Sequence, residues 1–216
     1  MRPFPTTRRA LAGLAAAALL GGPLSACGVL GGSAPEAVAV VENVQGKNTA
    51  IALDKGFTDA LGQLGLTPGV VGKAKLKKGS LIFPISGGNV TVFEPGEVSP
   101  YVIGQIQHEN SGLTLSAGGT TVRLSNFNVD PGVSRVYGDV AVNGKTAVSS
   151  AYLFKLDGRT LKPLETKGST AILEGTKVQI SDVAAPLLND TFKTDAVKPG
   201  LLVGIAKITV NTRSAS

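Results

Sequence analysis

Residues 133–158 read VSRVYGDVAVNGKTAVSSAYLFKLDG. Near their middle stands Asn143-Gly144, the strongest two-residue hairpin signal in the chain, because Asn-Gly accepts the two positive φ angles of a type I′ turn. The runs 133–142 and 148–156 are therefore expected as antiparallel partners, with Asp157-Gly158 turning the chain out again. Upstream, 121–129 alternates apolar Val122 and Leu124 with polar Arg123 and Ser125, and Gly118-Gly119 separates it from Leu113-Thr114-Leu115. The run 102–108 alternates poorly. Residues 81–85, then Gly87-Gly88-Asn89, then 90–93 spell a second hairpin. Downstream, Glu174-Gly175 joins 171–173 to 178–180. About ten or eleven short strands, with turn residues every 8–12 positions, give a mainly β fold class: an antiparallel β-sandwich or open barrel.

Two amphipathic segments interrupt the strands. Asp54 offers an N-cap ahead of Phe57, Leu61 and Leu64, spaced i, i+4, i+7, and Gly65 serves as the C-cap of a helix near 55–64. Ser181 caps a second helix near 182–192, in which Pro186 is tolerated only if it falls in the first turn. Each helix exits through Pro-Gly into a strand, Pro68-Gly69 into 70–76 and Pro199-Gly200 into 201–210. One β-rich domain with two short helices is expected over 37–216, its last strand ending near 211.

The N-terminal text has another grammar. Arg2, Arg8 and Arg9 precede the uncharged apolar run 10–20, and small residues follow: a secretory signal over 1–26 rather than a membrane span. Leu24-Ser25-Ala26-Cys27 resembles the lipobox of bacterial lipoproteins, which implies that Cys27, the only cysteine, carries lipid. Acyl chains contribute about 0.8 kcal/mol per buried methylene, and two or more anchor stably. Thr7-Arg8-Arg9-Ala10-Leu11-Ala12 resembles a twin-arginine export signal with Leu-Ala at the usual Phe-Leu position, and a plain basic signal start reads equally well. The segment 27–36 is the lipidated tether. The expected location is extracytoplasmic, on the outer face of the cytoplasmic membrane.

Lys and Arg number 21 against 15 Asp and Glu, a formal charge of +6. Three arginines leave with the signal, so the 190 residues from Cys27 on carry +3, which does not announce nucleic acid. With its cysteine committed to lipid, the domain has no disulfide and depends on burial of Val, Leu, Ile and a few Phe.

Chemical motifs are tested and rejected in turn. Serine-hydrolase chemistry needs a base and a nucleophile elbow, but His108 is the only histidine and no Gly-x-Ser-x-Gly occurs. Gly144-Lys145-Thr146 lacks the earlier glycine of a phosphate loop, that position being Asp139. No zinc ligand set can be assembled around His108 alone, and Asp130 and Asp139 match no calcium loop. No catalytic or metal residue is assigned, and no enzyme is expected. The residual rival is a carboxylate-dependent hydrolase of cell-wall glycans, needing two Asp or Glu about 5–10 Å apart across a cleft. Lys73, Lys75 and Lys77, with Lys78 adjoining, form a basic stripe, best read as a lysine-guarded edge.

Tyr101, His108, Tyr137 and Tyr152 are the candidate ligand-binding residues, since tyrosinate and histidine are haem-iron ligands. Tyr101 and His108 are seven apart, which on a regular strand sets them on opposite faces unless Gly104 marks a bulge.

Gly104-x-Ile106-x-His108-x-x-x-Gly112-Leu113-x-Leu115, followed by Val122-x-Leu124-x-Asn126-Phe127, resembles the central strands of HtaA-type haem-binding domains, β-rich surface modules of actinobacteria. The segment from Val183-Ala184-Ala185 to Gly204 is similar to their closing segment. The resemblance implies the fold, with His108 at the family's histidine position. It also implies an iron-ligating tyrosine near the first helix, where this chain has Phe57-Thr58-Asp59-Ala60. The fold is thus expected to carry over and haem binding is not.

The leading functional expectation is a non-catalytic binding or structural module of the cell envelope, without cofactor, meeting a protein or envelope partner through loops such as 86–89 and 110–119. The alternative is a carrier of haem or lipid, which requires an apolar cavity of about 300–1,000 Å³. The many Val and Ala residues favour close packing, which puts the partner-binding reading first.

Overall fold

Asn143 and Gly144 both take positive φ, 50° and 80°, and close the hairpin between strands Arg135–Val142 and Lys145–Asp157. The computed structural model describes residues 34–212. The expected signal segment, Cys27 and the expected tether through residue 33 lie outside them. In chain order the strands are β1 Ala37–Val41, β2 Gln45–Leu53, β3 Thr67–Gly72, β4 Lys75–Lys77, β5 Ser80–Pro84, β6 Gly87–Phe93, β7 Val102–Ala117, β8 Thr120–Asp130, β9 Arg135–Val142, β10 Lys145–Asp157, β11 Glu165–Lys167, β12 Thr170–Ile180 and β13 Leu202–Asn211. Helix α1, Lys55–Gln63, follows β2, and α2, Ala184–Phe192, follows β12.

These strands make one antiparallel sheet in the order β1-β6-β7-β8-β9-β10-β12-β13-β2-β5-β4, with β3 added on β7 and β11 on β12. The sheet curls without closing, as an open barrel does. Lysines guard one free edge: β4 ends the order, and Lys73, Lys75, Lys77 and Lys78 are all exposed there, as an edge strand requires. The expected strand over 70–76 is broken at Gly72, whose φ of 60° turns β3 into β4.

Both helices stand where their caps place them. The Asp54 carboxylate accepts from the N–H groups of Gly56 and Phe57 at 2.8 and 3.3 Å, meeting donors that the first turn leaves unpaired. In α2 the regular turns begin at Ala184, whose N–H donates to Ser181 Oγ at 2.9 Å, and Pro186 falls in the first turn as required. Ser181 also donates to the Tyr152 carbonyl at 2.7 Å, which pins α2 to β10.

The run 102–108, which alternates poorly as text, is the first half of the 16-residue β7. Val102, Ile106 and His108 face inward while Ile103, Gln105, Gln107 and Glu109 face out. Pairing of β6 with β7 is regular from Gly87↔Gln107 to Val92↔Val102, so there is no bulge at Gly104. The irregularity lies further on. His108 pairs Phe127 and Gly112 pairs Ser125, leaving three residues of β7 opposite Asn126. This bulge bends β7 and switches its inward positions to Ser111, Leu113 and Leu115, and β3 pairs with that second half.

Candidate functional site

The inward faces of the curled sheet meet in places, Phe83 of β5 against Phe127 of β8 and His108 of β7 against Thr49 of β2, and leave space elsewhere. Between them lies a cavity of about 370 Å³, within the range of small-ligand sites. This overturns the expectation of a close-packed interior. Four rings follow one another along its wall: Phe154 to Phe127 at 6.1 Å, Phe127 to Phe83 at 5.2 Å and Phe83 to His108 at 6.3 Å, each edge to face. Ile51, Leu113, Val136 and Val203 are among the aliphatic residues that complete it. No carboxylate lines it, so the paired acids of a glycan hydrolase are not found there.

His108 is the polar group set deepest in this wall, 2% exposed. Its Nδ1 lies 3.0 Å from the Pro84 carbonyl oxygen and its Nε2 lies 3.2 Å from Thr49 Oγ1. A carbonyl oxygen only accepts, so Nδ1 carries the proton. Burial lowers the imidazole pKa to about 4, against the opposing pull of the Pro84 and Phe83 carbonyls. The ring is therefore neutral at pH 7, and Nε2 presents a lone pair to the Thr49 hydroxyl, which donates to it. Ser111 Oγ donates to the His108 carbonyl at 3.0 Å, fixing the backbone at the bulge.

Loops enter the lining at one end only: Ser99–Tyr101, Pro131 with Ser134, and Gly158 to Leu161 form the rim. Tyr101 precedes the first residue of β7, so strand alternation does not bind it, and it reaches the cavity that His108 also lines. The opposite-face expectation fails for that reason. Burial pushes the Tyr101 phenol up, which keeps it protonated. Arg159 reaches the rim paired to Asp157, with contacts of 2.9 and 2.7 Å.

Tyr137 and Tyr152 do not line the cavity. They sit cross-strand on the outer face of β9 and β10, ring centroids 6.0 Å apart. The Arg135 guanidinium lies 4.6 Å over the Tyr152 ring and donates to Tyr137 Oη at 3.4 Å, a stacked surface cluster. The structure thus joins Tyr101 to His108 and sets the other two tyrosines apart. Thr49 was not singled out by sequence, since its partner His108 is 59 residues away and nothing local marks it.

Neither a protein-family model nor a curated protein matches the sequence. Among solved structures, the C-terminal domain of HtaA from Corynebacterium glutamicum aligns with a TM-score of 0.56 at 13% identity, covering 79% of this chain and 99% of that one. The chain shares the fold of that domain. A domain-swapped dimer of a histidine-to-alanine variant of the same HtaA domain aligns at 0.46 with 15% identity, over 73% of this chain and 91% of that one. Against the HtaA-type expectation of a tyrosine near the first helix, α1 carries Phe57, half-buried on the core. Phe57 lines two smaller cavities of about 220 and 140 Å³, both of which share Leu113 with the main one.

Proposed function

We propose that this domain is a non-catalytic carrier of a small, largely apolar ligand, held inside the curled sheet with His108 as its polar anchor. The observation that carries this reading is the 370 Å³ cavity with its ring-lined wall. Apolar burial supplies affinity, at about 25 cal/mol per Å² removed from water. If the Thr49 hydroxyl, which donates to His108 Nε2 at 3.2 Å, turns aside, that lone pair accepts one hydrogen bond that orients the ligand. The lipobox reading complements this one: lipid on Cys27 would hold the carrier on the outer face of the cytoplasmic membrane, where apolar molecules must be kept from water.

Haem belongs to the class of ligand proposed, and the HtaA-type resemblance brings it forward. Within the cavity wall, once the Thr49 hydroxyl 3.2 Å away turns aside, His108 Nε2 would ligate iron. Its Nδ1–H is held by a backbone carbonyl, which is how metal-ligating histidines are commonly oriented. The tyrosine that the resemblance implies is replaced by Phe57, and Tyr101 is kept protonated by burial. Iron would be held through His108, with Phe57 in place of that tyrosine. Lipid and haem share the apolar requirement and differ at this one atom.

The test is a pair of titrations, one with haemin followed by the Soret band and one with a fluorescent fatty acid. Saturable one-to-one binding is expected in at least one arm, and Ala206→Leu, which fills the cavity from β13, should abolish it. A Soret shift lost in His108→Ala assigns haem, and fatty-acid binding that survives His108→Ala assigns lipid. No binding in either arm would contradict the carrier reading and leave a surface module for an envelope partner.

A further inference from the structure

We infer that the rim of the cavity docks on the lipid bilayer, so that ligand passes between membrane and interior without crossing water; this rests on the carrier reading above. Large exposed apolar side chains are scattered over most of the domain, but Val38, Val40, Ile103 and Val133 gather at one place. Val40 pairs with Thr91 and Thr91 with Ile103, one row across the outer face of β1, β6 and β7. A Cβ at Gly132 would stand 3.8 Å from Ile103, and the exposed Val133 is the next residue in the chain. Val40 is 59% exposed and Val133 55%.

This patch adjoins the rim. Ile103 follows Tyr101 by two residues, and Val133 lies within the turn that supplies Pro131 and Ser134. The chain also enters here. Ala37 pairs with Phe93, the last residue of β6, so β1 begins at the rim end of the sheet. Nine residues, 28–36, separate it from Cys27, and at 3.3–3.6 Å each they reach about 30 Å at most. A lipid anchor at Cys27 would leave the start of β1 within about 30 Å of the membrane. The turn Asn143-Gly144 lies at the other end of β9, eight residues or about 26 Å further away.

Charged side chains also stand at this end. Arg159 is paired with Asp157, and Lys162 with Glu174 at 3.0 Å, while Arg135, Lys155 and Lys177, near the same ends of β9, β10 and β12, have no ion-pair partner among the described residues. Neutral lipid therefore isolates the apolar contact from any pull of these cations on anionic headgroups. Unpaired edge groups on β1 could instead recruit a second copy of the chain, and the experiment separates the two.

The full chain is coupled through Cys27 to a maleimide phospholipid in phosphatidylcholine vesicles, and amide hydrogen exchange is compared with the uncoupled chain. Amides of Ala37–Val41, 99–104 and 131–134 are expected to exchange about tenfold more slowly on the vesicle, with those of 143–146 unchanged. Val40→Glu combined with Val133→Glu should return the rim amides to their solution rates while core amides stay protected, which shows the fold intact. Unchanged rim rates on the vesicle, or equal slowing at both ends, would overturn the proposal. Slowing in the uncoupled chain that grows with its concentration would also overturn it, in favour of a second copy. No ligand is present in this measurement, so a failed titration and a failed docking are separate results.

Discussion

His108 couples the interior of this domain to pH. Its pKa near 4 lies below the ordinary histidine value of about 6.5, so between those values the unfolded chain takes up a proton that the folded chain refuses. Stability is full above about pH 6.5, declines by up to about 3 kcal/mol as pH falls toward 4, and stops declining on this account below that. Urea unfolding at pH 7.5, 6 and 4.5 should show this loss in the parent. In His108→Leu the share of the loss that falls between pH 6.5 and 4.5 should vanish, whatever the variant's stability at pH 7.5. Equal pH dependence in both proteins would mean that the buried imidazole is not the group responsible. The inward position of His108 was open to strand alternation, but its partners were not. Thr49 and the Pro84 carbonyl come from β2 and β5, and no spacing along the chain announces that meeting.

At the scale of elements, bulges curl the sheet. Asn110, Asn126 and Ser150 take φ of 54°, 55° and 53°, one each on the neighbouring strands β7 and β8 and on β10. Asp139 on β9 ties two of them: Asn126 Nδ2 donates to its Oδ2 at 2.9 Å and the Ser150 N–H donates to its Oδ1 at 3.0 Å. Asn110 N–H in turn donates to Asn126 Oδ1 at 3.1 Å. Bulges bend a strand and sharpen its twist, and here they cross the sheet in a line, which is what lets it curl around a cavity. Asp139→Ala should therefore cost about 0.5–1.5 kcal/mol and speed exchange of the Ser150 amide, while Asp139→Asn, which retains an acceptor, should cost less. No change in either would show that the carboxylate is a bystander.

The Asn143-Gly144 hairpin and the helices capped by Asp54 and Ser181 were legible, because each rests on contacts between near neighbours in the chain. The bulges were not, since asparagine adopts positive φ readily in ordinary turns and nothing local marks Asn110 or Asn126 as lying within strands. Gly104, the glycine that drew attention, has positive φ for another reason: it passes close to the Asn89 carbonyl oxygen within regular pairing.

Over the whole molecule, local pattern says which residues point inward but not how far apart the inward faces stand. Val122, Leu124, Val136 and Val140 read as ordinary core, and they are buried. The close packing inferred from Val and Ala content failed because the bulges keep the sheet open around Phe83, Phe127 and Phe154. The order of strands is equally hidden, since β13 joins β12 to β2 across nearly the full chain length. The central claim, an interior that carries an apolar ligand, is tested most directly by native mass spectrometry of the protein as isolated from its own cells. One small apolar molecule per chain is expected, absent from the Ala206→Leu variant prepared in the same way. A bare chain in both preparations, unchanged after incubation with haemin and fatty acid, would contradict it.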